Sequence, residues 1–343
     1  MRIALALGSG GARGYTHIGV LDELHARGHT IAAISGTSMG ALVGGLEAAG
    51  KLADYVEWVT TLQRGDVLRL LDPAFTGPGV FWGQKVMERV AGLLDGARIE
   101  QLPIPFTAVA TDLTHGREVW FQRGSVATAM RASIGIPSVF TPVVVGGRLL
   151  ADGGLLNPVP VDALLGADAD LTVAVSLSGR RSGEAGSSRP LTAPAETEGI
   201  LGELGDWVRH ELFESDAVRG VLESSAVRGV REWWLERFGT DTGPADGAVG
   251  QLAAEPVTPD TETAPRDFDF GELPRGLRTT DVVSLSLEVA ESLITRFRMA
   301  ASPPDVFVEF AQDVGSTFDF HRAGELIALG RAKAAEVFDA AGL

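Results

Sequence analysis

The chain has 343 residues, 45% of them apolar and 22% charged, with 45 acidic against 29 basic side chains for a formal charge of −16, and it has no cysteine. These values describe a globular protein long enough to bury a full core, and they exclude disordered and coiled-coil compositions, disulfides, thiolate metal sites and cysteine catalysis. The acidic excess also argues against a nucleic-acid partner, which needs clustered Lys and Arg to displace phosphate counterions, and against an anionic membrane surface.

Arg2 leads directly into an apolar run at 3–7 that ends in glycine. The run reads as a strand buried on both faces of a parallel sheet. It is too brief for a signal-peptide core or a membrane span, so a soluble, cytoplasmic protein is expected. After Gly14 the spacing of Ile18, Leu21 and Leu24 predicts a helix that stops near Gly28. A second strand is expected over 31–35 and a small-residue helix over 39–49. This strand, helix, strand, helix order implies an α/β fold with a mainly parallel central sheet, flanking helices and a ligand crevice at the carboxyl ends of the strands. The glycine-rich turns Gly8 to Gly14 and Gly36 to Gly40 then fall on the same sheet edge.

Further strands are expected at 106–110, 119–121 and 171–177. The run 148–150, preceded by the Gly146-Gly147 turn, reads as the second arm of a hairpin that delivers Asp152. Residues 1–178 thus form the first part of the core. Over 179–279 Gly, Ser, Pro, Thr and acidic residues dominate, a composition expected of an irregular insertion, with one or two amphipathic helices at about 200–238. Residues 280–343 complete the core with a helix at 280–299, a strand at 306–310 and a closing helix at 322–341.

Gly36-Thr37-Ser38-Met39-Gly40 is a G-x-S-x-G pentapeptide between a predicted buried strand and a predicted helix. A nucleophile elbow places its serine on such a strained turn, with flanking glycines that let backbones approach closely. Its position at a helix N-terminus favours developing negative charge. The plainer reading of these five residues alone is a tight turn with Ser38 as an N-cap. Gly8-Ser9-Gly10-Gly11-Ala12-Arg13-Gly14 also follows a strand and opens a helix. A dinucleotide fingerprint fits it poorly, because Arg13 stands where the third glycine belongs and the next strand ends at Ser35-Gly36 without an acidic residue to hold a ribose. The N–H groups around Gly10 and Gly11 suit an oxyanion formed near Ser38 instead. Arg13 either steadies this loop or attracts an anionic headgroup.

An activated serine needs a base. His17 and His25 lie on the first predicted helix, and His29, His115, His210 and His321 lie in variable contexts, none in a glycine-bounded turn after a strand. Asp152 lies in Leu150-Ala151-Asp152-Gly153-Gly154, where an apolar strand ends in a carboxylate and two glycines permit a sharp turn. By itself it would pass for a turn aspartate.

Together, the glycine loop with Arg13, Gly36-Thr37-Ser38-Met39-Gly40 and Asp152-Gly153-Gly154 resemble the patatin-like phospholipase family, above all its small stand-alone bacterial and archaeal branch. The resemblance extends through Ala132-Ser133-Ile134-Gly135-Ile136-Pro137, the stretch 152–162 and Phe318-Asp319-Phe320, and it leaves the insertion unmatched. It implies a Ser-Asp dyad, with Ser38 as nucleophile and Asp152 as proton acceptor, and an oxyanion hole drawn from the first glycine loop. It also implies a fold related to the α/β-hydrolases and hydrolysis of lipid acyl esters without metal or cofactor. Ser9 departs from the glycine of many members, as it does in related members of this branch.

The expected function is therefore a serine acyl hydrolase that releases fatty acids from phospholipid esters through an acyl-enzyme. Two readings from other classes stand beside it: a soluble esterase or thioesterase on small acyl substrates, and a lipid-binding regulatory protein without turnover. The amphipathic stretch 200–238 is either a lid or lipid-facing surface, making peripheral membrane contact, or a face packed on its own protein or on a second copy in a homo-oligomer. Lys51, Lys85 and Lys333 are the only lysines, and this arginine-based, acid-rich balance fits a high-salt cytoplasm or a GC-rich genome.

Overall fold

The computed structural model describes residues 1–72, 79–179 and 279–343. They fall in one unit of the chain, Met1–Ser188 with Arg278–Leu343, whereas the expected insertion and its helices at 200–238 lie outside the described residues. Among the described residues no helix is long and apolar enough to cross a membrane.

β1 (Arg2–Leu7) is buried from Ile3 onward. Its side chains divide between the two sheet faces with the strand period of two. Ile3, Leu5 and Leu7 enter the large core together with Ile18, Leu21 and Leu24 of α1 (Thr16–Ala26), while Ala4 and Ala6 face a thinner cluster with Val159, Val161 and Ala174. A 3-10 turn, Gly11–Tyr15, precedes α1, so the helix expected straight after Gly14 starts as a tighter coil. β2 (Thr30–Thr37) lies parallel to β1, and α2 (Met39–Ala48) returns over the large core.

Next come α3 (Leu52–Val59), α4 (Arg64–Leu71), β3 (Gly79–Phe81) and α5 (Gln84–Leu94), which no motif announces. They form for an ordinary reason. Leu52, Tyr55 and Val59 on α3, and Met87, Val90 and Leu94 on α5, recur at three- and four-residue steps and are buried. The chain continues through β4 (Phe106–Asp112), β5 (Arg117–Phe121), α6 (Val126–Ser133), β6 (Ser138–Phe140), β7 (Val143–Val145), β8 (Arg148–Asp152) and β9 (Leu171–Gly179). From residue 279 the described chain resumes with α7 (Thr279–Ala301), β10 (Val306–Ala311) and α8 (Ala323–Ala341).

The main sheet runs β10-β9-β1-β2-β4-β8-β7, with β5 also on β4. Its first five strands are parallel, β5 and β8 run antiparallel to β4, and β7 runs antiparallel to β8, so the sheet is mixed with mostly parallel strands. β4 organises the site because it serves three partners: β2 along 106–109, β5 along 108–112 and β8 along 110–112. β5 overlaps both of the others and so fills one edge of β4. β2 and β8 share the opposite edge, end to end.

Candidate active site

β2 ends at Thr37 and α2 starts at Met39, which leaves Ser38 on the turn with φ 56° and ψ −123°. A residue with a Cβ held at positive φ stores about 1–3 kcal/mol of strain and keeps it only where its surroundings allow no alternative. Here backbone lies on backbone. A Cβ on Gly36 would fall 2.4 Å from Gly40 O, and one on Gly40 would fall 2.1 Å from Leu7 O. The Ser38 N–H donates to Ser133 Oγ at 2.8 Å, and that hydroxyl donates to Val109 O at 2.6 Å. Thr37 Oγ1 donates to Asn157 O at 2.8 Å, tying the elbow to the segment after Asp152-Gly153-Gly154.

Asp152 ends β8. Its Oδ2 accepts the Ser38 hydroxyl at 2.5 Å, and its Oδ1 accepts the Gly154 N–H at 2.7 Å. Both side chains are buried. Burial pushes the Asp152 carboxyl up to about 6, against the two hydrogen bonds, which favour the ionised form. A carboxylate so placed is mostly ionised at neutral pH and basic enough to accept a proton in a reaction.

The glycine loop is pinned at several points. Gly8 N–H donates to Val175 O, Ser9 N–H to Pro158 O and Ala12 N–H to Thr317 O. Among the described residues the N–H groups of Gly10 and Gly11 have no partner, and these are the two toward which the sequence pointed. Arg13 is buried, with Nε donating to Gly10 O at 3.2 Å, Nη1 to Gln312 O at 2.9 Å and Nη2 at 3.4 Å from Glu288 Oε1. Of the two roles weighed for Arg13, these contacts are those of steadying the loop.

No described histidine hydrogen-bonds Ser38 or Asp152. His17 sits 2.8 Å from Gly8 O through Nε2, and burial lowers its pKa to about 4, so the neutral ring donates from Nε2 to that carbonyl. His25 meets Glu47 and His115 meets Asp112, while His210 lies outside the described residues. One carboxyl near the dyad carries no motif at all: Glu291 on α7 accepts a 3.4 Å hydrogen bond from Ser9 Oγ.

Ser38 faces an apolar pocket walled by Tyr15, Met39, Leu42, Tyr55, Trp58, Val59, Leu62, Val67, Leu70, Leu71, Val86, Ile134, Ile136, Phe140 and Phe320. Most of that wall comes from α2 to α5. Such a lining, with one reactive hydroxyl beside it, is suited to a hydrocarbon chain, which gains by leaving water.

A family model described as patatin-like phospholipase matches residues 5–165. An uncharacterized NTE family protein of Mycobacterium bovis is 42% identical over 342 residues, which covers 99% of this chain and 92% of that protein, and one of Mycobacterium tuberculosis matches to the same extent. That alignment also runs through 179–279, which the family model, ending at residue 165, does not reach. Patatin-like phospholipase domain-containing protein 6 of Mus musculus is 32% identical over 183 residues, 51% of this chain and 13% of its own length. Among solved structures, VipD from Legionella pneumophila covers 99% of this chain and 66% of its own at 12% identity, with a TM-score of 0.42.

Proposed function

This chain belongs to the patatin-like phospholipase family, and from that premise we propose that it is a serine acyl hydrolase, releasing fatty acids from lipid esters with Ser38 as nucleophile and Asp152 as its base. The observation that carries the reading is the 2.5 Å hydrogen bond from Ser38 Oγ to the buried Asp152 Oδ2.

The chemistry follows from that contact. Asp152 takes the hydroxyl proton as Ser38 Oγ attacks the ester carbonyl, and the carbonyl oxygen becomes an oxyanion. The Gly10 and Gly11 N–H groups, with the α2 N-terminus, stabilise that charge, where a single donor is worth about a hundred- to a thousandfold in rate. The intermediate collapses, and the leaving alcohol takes the proton from Asp152. A water then attacks the acyl-enzyme, Asp152 accepts its proton and returns it to Ser38 Oγ, and the fatty acid departs. The apolar pocket would hold the acyl chain. Phospholipid esters are the substrates this suits, met by peripheral contact from the aqueous side. A soluble esterase for short acyl groups would have little use for so long an apolar wall, and a lipid binder without turnover would have no use for the dyad. Residues 1–178 and 280–343 would act together as the catalytic core.

The test is labelling of wild type, Ser38→Ala and Asp152→Ala by a fluorophosphonate probe, combined with fatty-acid release from phospholipid vesicles and from p-nitrophenyl esters. Labelling and release that vanish in Ser38→Ala and fall sharply in Asp152→Ala support the proposal. An unlabelled, inactive wild type that still binds vesicles would replace it with the lipid-binding reading.

A further inference from the structure

We infer that Glu291 on α7 is a positioning residue of the active site, joining the glycine loop to Asp152 and shutting the reaction down at alkaline pH when it loses its proton. The inference rests on the hydrolase reading above. Its geometry centres on Gly154, where a Cβ would lie 2.7 Å from Glu291 Oε1, 3.0 Å from Ser9 Oγ and 3.1 Å from Asp152 Oδ1. Three oxygens from three separate segments thus gather around one glycine, with Ser9 Oγ 3.4 Å from Glu291 Oε2.

The carboxyl is delivered there by a helix fixed on both sides of it. One turn earlier, Glu288 meets Arg13 of the same glycine loop at 3.4 Å. One turn later, Thr295 Oγ1 donates to Glu291 O at 2.8 Å and accepts from Ser178 Oγ at 3.4 Å. Arg298 donates to Leu156 O at 2.8 Å, pairs with Asp162 at 3.0 Å and also meets Glu118. Glu291 makes no hydrogen bond to Ser38, so it acts through Ser9 and Asp152.

The charged groups around it are Asp152 from β8, Arg13 from the glycine loop and Glu288 from its own helix. Burial first, then the Asp152 charge, keep Glu291 protonated to about 7, with Glu288 adding to the rise and Arg13 and the Ser9 hydroxyl opposing it. In the protonated form Glu291 leaves Asp152 as the one negative charge of the site. Once ionised, it places a second negative charge beside the point where the oxyanion must form, which opposes the reaction.

The experiment is kcat and KM for release of p-nitrophenol from a long-chain ester by wild type, E291Q and E291A across about pH 5 to 9, with Ser38→Ala as the blank and thermal melting to show that each variant folds. E291A should lose about tenfold or more of kcat at every pH with KM unchanged, the pattern of a misplaced but intact dyad. E291Q, which imitates the protonated carboxyl, should recover most of that loss and abolish the decline expected of the wild type above about 7. A folded, active E291Q whose pH profile superimposes on that of the wild type would overturn the inference alone. A wild type no more active than Ser38→Ala would overturn the hydrolase reading and this inference with it.

Discussion

Ser38 and Asp152 stand 114 residues apart in the sequence and meet at β4: Thr37, next to Ser38, pairs with Val109, and Asp152 pairs with the following residue, Ala110. Backbone hydrogen bonds of one strand therefore set the distance between Ser38 and Asp152. Sites carried on strands and helices hold their geometry more tightly than sites carried on loops, and four measurements test how this one is held.

The first concerns the elbow. Ser38→Ala and Ser38→Gly should both be inactive and unlabelled, yet the glycine variant should be the more stable by about 1–2 kcal/mol, since only glycine adopts a φ of 56° without strain. Urea denaturation of the two variants reads the difference. Equal stabilities would show that the turn stores nothing.

Asp152→Asn should lose at least about a hundredfold in kcat while gaining stability at neutral pH. In the folded protein the carboxyl holds its proton to about 6, whereas in the unfolded chain it releases it near 3.8. Its contribution to stability is thus full below the lower value and lost as pH rises through the upper one, a swing of roughly 3 kcal/mol. Melting temperatures of wild type and variant should diverge between about pH 4 and 7, with the wild type falling. Parallel curves would contradict the burial argument.

Ser133→Ala takes away the acceptor of the Ser38 N–H and one donor to Val109 O. A loss of about 1–3 kcal/mol in stability is expected for a buried N–H left without a partner. A fall of about tenfold in kcat should accompany it as the elbow relaxes. Unchanged kinetics would make the bridge purely structural.

Leu62 lines the pocket and is only partly buried, so Leu62→Trp should fill acyl space without wrecking the core. The ratio of kcat/KM for a hexadecanoyl over a butanoyl ester should drop by about tenfold or more. If long and short esters were affected alike, the acyl chain lies elsewhere.

The strands near 3–7, 31–35, 106–110, 119–121, 148–150, 171–177 and 306–310 and both glycine turns were readable in the sequence, because apolar runs bounded by glycine say where a strand ends and its turn begins, whereas the partnership of Ser38 with Asp152 came only with the family resemblance. Ser133 was within the expected stretch, but nothing in Ala132 to Pro137 says that its hydroxyl catches an N–H 95 residues away. Glu291 lies among polar residues of an amphipathic helix, where a carboxylate ordinarily faces water. Packing of α7 beside Gly154 is what turns it inward. The pocket was hidden for a similar reason: the steps of Leu52, Tyr55 and Val59 mark a helix face, yet whether that face closes a core or lines a cavity is decided by its neighbours.

The anchoring of the glycine loop has a consequence for biosynthesis. The loop leaves the ribosome well before its carbonyl partners: Pro158 for Ser9, Val175 for Gly8, Gln312 for Arg13 and Thr317 for Ala12. A nascent chain that has already exposed Ser38 and Asp152 still lacks the pieces that pin its glycine loop. Translation must pass Thr317 before the loop can take up all of these contacts, so the segment around Ser38 is completed only when nearly all of the described residues have been made.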